Sequence, residues 1–471
     1  MPSLANAGWA MKDGQGLEVS NGHADAIAAI DLLRDEWLAF GKRLPEVVAA
    51  ADKEERCALL PLVSANLLLT VNSPAAFALA QRQFERAKEL GQTANPREQA
   101  WLAATEAAFA RDKAKAQAIH EKIVGEWPRD LISAKVGQIH AIDRGDAKGL
   151  LRIGEAVLAA NAENRYVLAL HAFGLEECNR LDEAESEARK AIDIDRRDPW
   201  AHHVVAHCLE ARGRLLEGVA FLRSMADTWE NCNSFMYTHN WWHLALFLID
   251  LDRGEEALAL FDGRVWGIDK DFSEDQINAI SLLARLELHG ADVGQRWADV
   301  ARHVKPRIRE HFTPFLDLHY LYGLARGGED NAVTEMLASL EDRAERATES
   351  EREAWADCAV PAAHGLAAHA KGDHAAAARY LGQALPHLAA IGGSIAQRAL
   401  FGAIHLDAMM RSGWNDAALK VLQADDRERP TVPATKRALA ALLRRLGRSE
   451  QAMAAEYQAE QLTRQYRELT K

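Results

Sequence analysis

The sequence predicts an all-α fold built as a solenoid of antiparallel helix pairs. Three observations predict it. Ala, Leu, Glu, Arg and Gln are abundant, Pro supplies only 13 of 471 residues, and β-branched runs are absent. Small or neutral residues recur on a fixed 34-residue step, at Ala104, Gln138, Ala172 and Ala206. Twelve residues after each come Ala116, Leu150, Ala184 and Gly218, and seven further on Ile123, Val157, Ala191 and Met225.

A period of this length marks a tetratricopeptide-like α-solenoid, a superhelix of helix pairs. The small residues let paired helices approach closely, and each pair buries its apolar face on the next. Pro128 and Pro199 supply stop signals, and RLDEAESEARKAIDID (180–195) is the best single match. Residues 1–22 read as an irregular N-terminal arm and 23–95 as a segment of amphipathic helices. Residues 96–471 read as the repeat superhelix, forming one continuous domain with 23–95. The polar stretches near 94–96 and 345–353 are the expected seams. After Ala206 the step lengthens to 39 residues, at Ala245, which implies a longer connection over about 227–237. The pattern returns with Gly372 before Ala377, Gly413 before Ala418 and Gly447 before Ala452. The polar C-terminal helix fits a cap with a solvated face.

Composition narrows the function. The chain is 48% apolar and 27% charged, as in a globular protein. A net charge of -13 and a pI near 5.8 give no basic footprint, so no nucleic-acid partner is expected. Nor does that charge favour an anionic membrane surface, and no apolar run spans a bilayer. The N-terminus lacks a basic, then apolar, leader, so a cytoplasmic location is expected. Cys57, Cys178, Cys208, Cys232 and Cys358 are odd in number and never spaced CxxC. They read as reduced thiols rather than a disulfide or thiolate-zinc framework.

Chemistry concentrates in residues 199–250. Five of the 18 histidines fall there, in AHHVVAHCLE and THNWWHLAL. On a helix His203 and His207 share a face, and so do His239 and His243.

Six blocks resemble the tetratricopeptide-repeat protein 38 family: HAFGLEE (171–177), DPWAHHVVAHCLEARGRLLEG (198–218), HNWWHLAL (239–246), VGQRWADV (293–300), Asp317 with His319, and IGGSIAQR (391–398). The resemblance implies a closed-up superhelix and carries no settled activity. Ile395, Ala399 and Gln138 depart from the family pattern, the first and the last where that pattern has histidine.

Inner-face placement of the first helix of each pair, taken from the resemblance to this fold, groups His203, His207 and Glu210 with His239, Trp242 and His243. Glu176 and Asp317 come from neighbouring helices. Imidazoles and carboxylates on one hollow are equipped for acid–base chemistry. The expected catalytic set is therefore His203, His207, His239, His243 and Asp317. Glu176, Glu210, Asn240, Trp242, His319 and Arg398 are the expected binding residues. The plainer reading is histidines hydrogen-bonded between packed helices. A divalent metal such as zinc, if held, would take its ligands from His203, His207, His239 and His243, although HHVVAH lacks the HExxH base. Trp241 is expected in the core and Trp242 on the pocket wall. Gly392-Gly393-Ser394 reads either as an anion cradle or as a helix start capped by Ser394.

Two functions fit these residues. One is a small-molecule binder or an acid–base hydrolase or lyase with a histidine-lined pocket. The other is a protein-interaction scaffold without catalysis, the ordinary work of such repeats. A homo-oligomer is compatible with either.

Overall fold

The computed structural model describes residues 11–469, with the side chain of the last of these excepted. The chain is an all-α repeat protein. Its β-structure, among the described residues, is one hairpin pairing Met11–Lys12 with Glu18–Val19. That hairpin stands where the sequence reads as an irregular arm; residues 1–10 of the arm lie outside the described residues.

Four helices come first: α1 Ala24–Ala39, α2 Leu44–Ala51, α3 Leu59–Leu69 and α4 Pro74–Leu90. The 34-residue period then appears as helix pairs. They are α5 Pro96–Phe109 with α6 Lys113–Glu126, α7 Leu131–Ile142 with α8 Ala147–Leu158, α9 Arg165–Glu177 with α10 Leu181–Ile194, and α11 Pro199–Ala211 with α12 Leu215–Met225. Turns of three or four residues join the partners, which forces them antiparallel. The helix starts follow local chemistry. Asp112, Asp130 and Asp146 each accept a first-turn backbone N–H, and Asn95 with Glu98 forms a capping box.

Twelve further helices follow: α13 Ser234–Asp250, α14 Gly254–Leu260, α15 Ser273–Leu288, α16 Arg296–Val304, α17 Pro314–Arg326, α18 Asp330–Glu345, α19 Val360–Ala370, α20 His374–Ala384, α21 Ile395–Ser412, α22 Asn415–Glu428, α23 Pro433–Arg445 and α24 Ser449–Leu469. The longer connection expected before Ala245 is shorter than the sequence implies. A 3-10 turn covers Ala226–Asn231, and Ser234 already opens α13. Among the described residues no helix is long and apolar enough to cross a membrane.

The chain divides into two compact units, residues 1–201 with 231–233, and 202–230 with 234–471. The division falls inside α11 rather than at either polar stretch.

In the first unit, α1 to α7 share an apolar core that includes Leu33, Leu60, Trp101 and Ile123. Asp130 ties α5 to the start of α7, accepting from Arg97 at 2.7 Å and from the Trp101 indole at 2.9 Å. Small residues sit where helices touch: Ala104, Ala116, Ala172 and Ala184 are fully buried. At Gly174 a Cβ would come within 2.7 Å of the Leu151 Cα, so α9 can approach α8 only with glycine there. Gln138 donates to the carbonyls of Leu150 and Leu170 at 2.9 and 3.0 Å.

In the second unit, Gly218 leaves room for the Phe247 ring, bringing α12 onto α13. The C-terminal helices return to the start of this unit. Arg429 reaches Asp250, Thr431 donates to the Gly213 carbonyl at 2.8 Å, and Arg437 pairs with Asp252. The Arg285 side chain on α15 donates to the Ala396 carbonyl on α21 at 2.8 Å.

Candidate functional site

Helical spacing puts His203 and His207 on one face of α11, and His239 and His243 on one face of α13. The structure turns these faces toward each other. Ring centroids are 4.2 Å apart for His203 and His207, 4.8 Å for His239 and His243, 5.0 Å from His203 to each of His239 and His243, and 4.8 Å from His207 to His243. All four residues are 0–2% exposed, so the rings pack on one another as a buried cluster rather than lining a solvated hollow.

Trp242 completes the cluster. Its ring stacks on His239 at 5.2 Å and meets the His243 ring edge-on at 4.7 Å. Arg285, from α15, sits over the Trp242 ring, 5.2 Å from its centroid. Trp242 is fully buried, whereas Trp241 is partly exposed and packs against Trp229 and Arg264. The core position expected for Trp241 therefore belongs to Trp242, because successive residues on a helix point about 100° apart.

His239 is held in place by Asn278. Its Nδ1 lies 3.0 Å from Asn278 Oδ1, a carbonyl oxygen that only accepts, so Nδ1 carries the proton. Burial, offset in part by that bond, lowers its pKa to about 3. Burial also holds His243 well below the ordinary histidine range, with His207 and His239 adding to the effect. Both imidazoles are neutral at pH 7, which leaves nitrogen lone pairs in the interior.

His203, His207 and His243 each offer a nitrogen within 4.8 Å of the others. Of the four histidines expected as metal ligands, these three share that spacing. Neither ring nitrogen of His243 has a hydrogen-bond partner among the described residues. Glu210, on α11, places Oε2 at 3.7 Å from His243 Nδ1, too long for a hydrogen bond, and this oxygen makes none elsewhere among the described residues. Burial raises the Glu210 pKa; Asp250 raises it further, while His207, Arg429 and Arg285 lower it. Unpaired buried donors and acceptors are rare in native proteins and call for a missing partner.

The remaining expected residues have other places. Glu176 is buried on α9, in the first unit. Asn240 is fully buried on α13. Asp317 pairs with His311 at 2.6 Å. His319 bonds the Phe315 carbonyl at 2.8 Å and packs on Phe401. Arg398 donates to the Gly393 carbonyl, and Ser394 with Gln397 forms a capping box, so the Gly-Gly-Ser stretch is a capped helix start. Sequence reasoning missed Asn278 and Arg285. They stand seven apart within the apolar run INAISLLARLEL, which is the pattern of one helix face.

A second group, His369, His374 and Asp407, also has ligand spacing. There His369 is already engaged on both sides, by the Tyr322 hydroxyl at 3.1 Å and by Asp407 at 2.9 Å.

A scan against protein-family models finds no match. Among solved structures, the chain is similar to a human IFIT1 dimer with PPP-AAAA, at 12% identity and a TM-score of 0.41, covering 89% of this chain and 94% of that one. It is also similar to the APC/C hetero-tetramer Cut9–Hcn1, at 13% identity and a TM-score of 0.35, covering 86% of each chain. A third, Naa15/Naa10 bound to HypK-THB, aligns at 12% identity and a TM-score of 0.25, over 92% of this chain and 68% of that one. Likeness at this level transfers no ligand and no partner.

Proposed function

We propose that this chain is a helical-repeat binding protein whose buried histidine cluster holds one zinc-class divalent cation. His203, His207 and His243 are the nitrogen ligands and Glu210 is the oxygen ligand. The observation that carries this reading is a pair of groups that face each other with no hydrogen-bond partner among the described residues, His243 Nδ1 and Glu210 Oε2. A cation between them satisfies both at once. Imidazole and carboxylate are the donors that zinc takes when thiolates are absent. Arg285 opposes a cation here, and Glu210 with Asp250 offsets that charge. When bound, the ion supplies a Lewis-acidic centre and cross-links α11 to α13.

Acid–base hydrolysis by these imidazoles is not part of the reading. A general base must reach its substrate's proton within hydrogen-bond distance, and rings 0–2% exposed offer a substrate almost no surface. A protein-interaction scaffold is the second reading. The repeat architecture itself favours it, since stacked helix pairs present extended binding surfaces, and it asks nothing of the histidines.

Calorimetric titration of zinc into chelator-treated protein tests the proposal. One equivalent should bind, and His207→Ala should weaken binding at least about tenfold, in line with the losses seen when metal-site partners are removed. Absence of saturable binding to folded protein would leave the scaffold reading.

A further inference from the structure

The second unit carries another constellation that is independent of the four clustered histidines. His311 lies in the loop before α17. Its Nδ1 meets Asp317 Oδ2 at 2.6 Å and its Nε2 meets Ser339 Oγ at 2.7 Å. Asp317 is 1% exposed and its carboxylate accepts, so Nδ1 carries the proton. The Nε2 lone pair then faces Ser339, whose hydroxyl donates to it. A hydroxyl, an imidazole and a carboxylate are thus joined in line by two short bonds, the arrangement that activates a serine whatever fold carries it.

The surroundings keep this geometry in place. His311 has φ 47, a left-handed conformation uncommon outside glycine and sustained only where the surroundings enforce it. Arg309, two residues earlier, pairs with Glu335 at 2.7 Å and fastens the loop to α18 one turn before Ser339. One turn beyond Ser339, on the same face of α18, stands Arg343. Its guanidinium lies over Trp355 at 4.4 Å, and the Trp355 ring also meets His311 edge-on at 6.1 Å. Arg343 donates through Nη2 to Glu351, yet its buried Nε has no hydrogen-bond partner among the described residues. Ser339 itself is partly exposed.

We propose that Ser339 is a nucleophile for small, uncharged carboxylic esters, with His311 as general base, Asp317 as a positioning residue and Arg343 Nε–H as the donor to the developing oxyanion. Ser339 Oγ attacks the ester carbonyl carbon as its proton passes to His311 Nε2. The bond from that carbon to the alkoxy oxygen breaks, and His311 returns the proton to the departing alcohol. Water, deprotonated by His311, then attacks the acyl-serine. The carboxylic acid leaves, and the proton returns to Ser339. Ester and water become acid and alcohol, with no oxidant or cofactor.

The test treats the full-length protein with a fluorophosphonate probe, maps the adduct by mass spectrometry and follows p-nitrophenyl acetate hydrolysis in parallel. The probe should phosphonylate Ser339, and Ser339→Ala should abolish both the adduct and the burst of nitrophenol. Asp317→Asn should slow labelling at least tenfold and alter its pH profile, as expected when the histidine tautomer is no longer fixed. His311→Gln should stop labelling; if that variant does not fold, the wild-type adduct map and Asp317→Asn still decide. A folded wild type unlabelled at Ser339, or hydrolysis unchanged in Ser339→Ala, overturns the proposal.

Discussion

Arg429 Nη1 lies 2.9 Å from Asp250 Oδ2, although 179 residues of chain separate them. The pair joins the end of α13 to the turn before α23. Arg429 also holds Asp425 at 2.9 Å, and these carboxylates keep its guanidinium charged despite burial. Arg429→Ala leaves Asp250 without this partner at a site under a quarter exposed. The loss expected is about 1–3 kcal/mol, between the values for exposed and fully buried ion pairs. Hydrogen exchange should show it locally, as faster exchange in α23 and the end of α13 with the first unit unaffected. Unchanged protection in α23 would mean that the pair does not hold the C-terminal helices in place.

Gly218 and Phe247 give a packing test. A methyl group at Gly218 overlaps the Phe247 ring, so Gly218→Ala should destabilise the second unit by about 1–3 kcal/mol, the usual cost of overpacking. Phe247→Leu by itself removes buried contacts and is also destabilising. The double variant should be less unstable than the sum of the two, because the smaller side chain relieves the overlap. Chemical denaturation of the four proteins measures this coupling, and strict additivity would contradict the close approach.

The first unit should lose stability in acid. Burial lowers His140 to about 4 and His120 well below the ordinary value of 6.5. The unfolded chain therefore binds protons below about pH 6.5 that the folded chain refuses until much lower pH. Their contribution is complete above about 6.5 and is lost as pH falls toward 4. Burial raises Asp198 to about 6, so this group acts in the opposite direction, favouring the fold most at low pH. Asp13 and Glu98, likewise raised by burial, act with Asp198. Glu54, Asp146 and Asp195, lowered by hydrogen bonds that outweigh burial, act with the two histidines, which supply the decline between pH 6.5 and 4. Each histidine contributes a slope of at most about 1.4 kcal/mol per pH unit. His140→Gln should flatten the decline by up to that amount, read from urea midpoints at pH 7 and pH 5. An identical slope in the variant would remove His140 from the account.

How far the sequence carries this far depends on what is local. The helix pairs from Pro96 onward were legible because small residues at crossings recur on a fixed step and proline stop signals act within a few residues. The pairing of His203 with His207, and of His239 with His243, was legible for the same reason. Which way His239 turns was not, because Asn278 reaches it from α15, 39 residues downstream. Asp317 reads as a pocket carboxylate in a list of polar residues. Its partner His311 became visible only when a loop in a left-handed conformation folded back on α17. The depth of burial escaped too. Spacing alone assigns the histidines to a face, but the chain's return at Arg429 and Thr431 is a tertiary event with no periodic signature.

Elemental analysis of the purified protein is the sharpest test of the cation site. One zinc-class ion per chain is expected after reconstitution and removal of excess metal. That ion should be lost in His203→Ala and His243→Ala, and retained in His239→Asn, since the ligand atoms within 4.8 Å of one another come from His203, His207 and His243. Folded protein with far less than one ion per chain, or a metal content indifferent to His243→Ala, would contradict it.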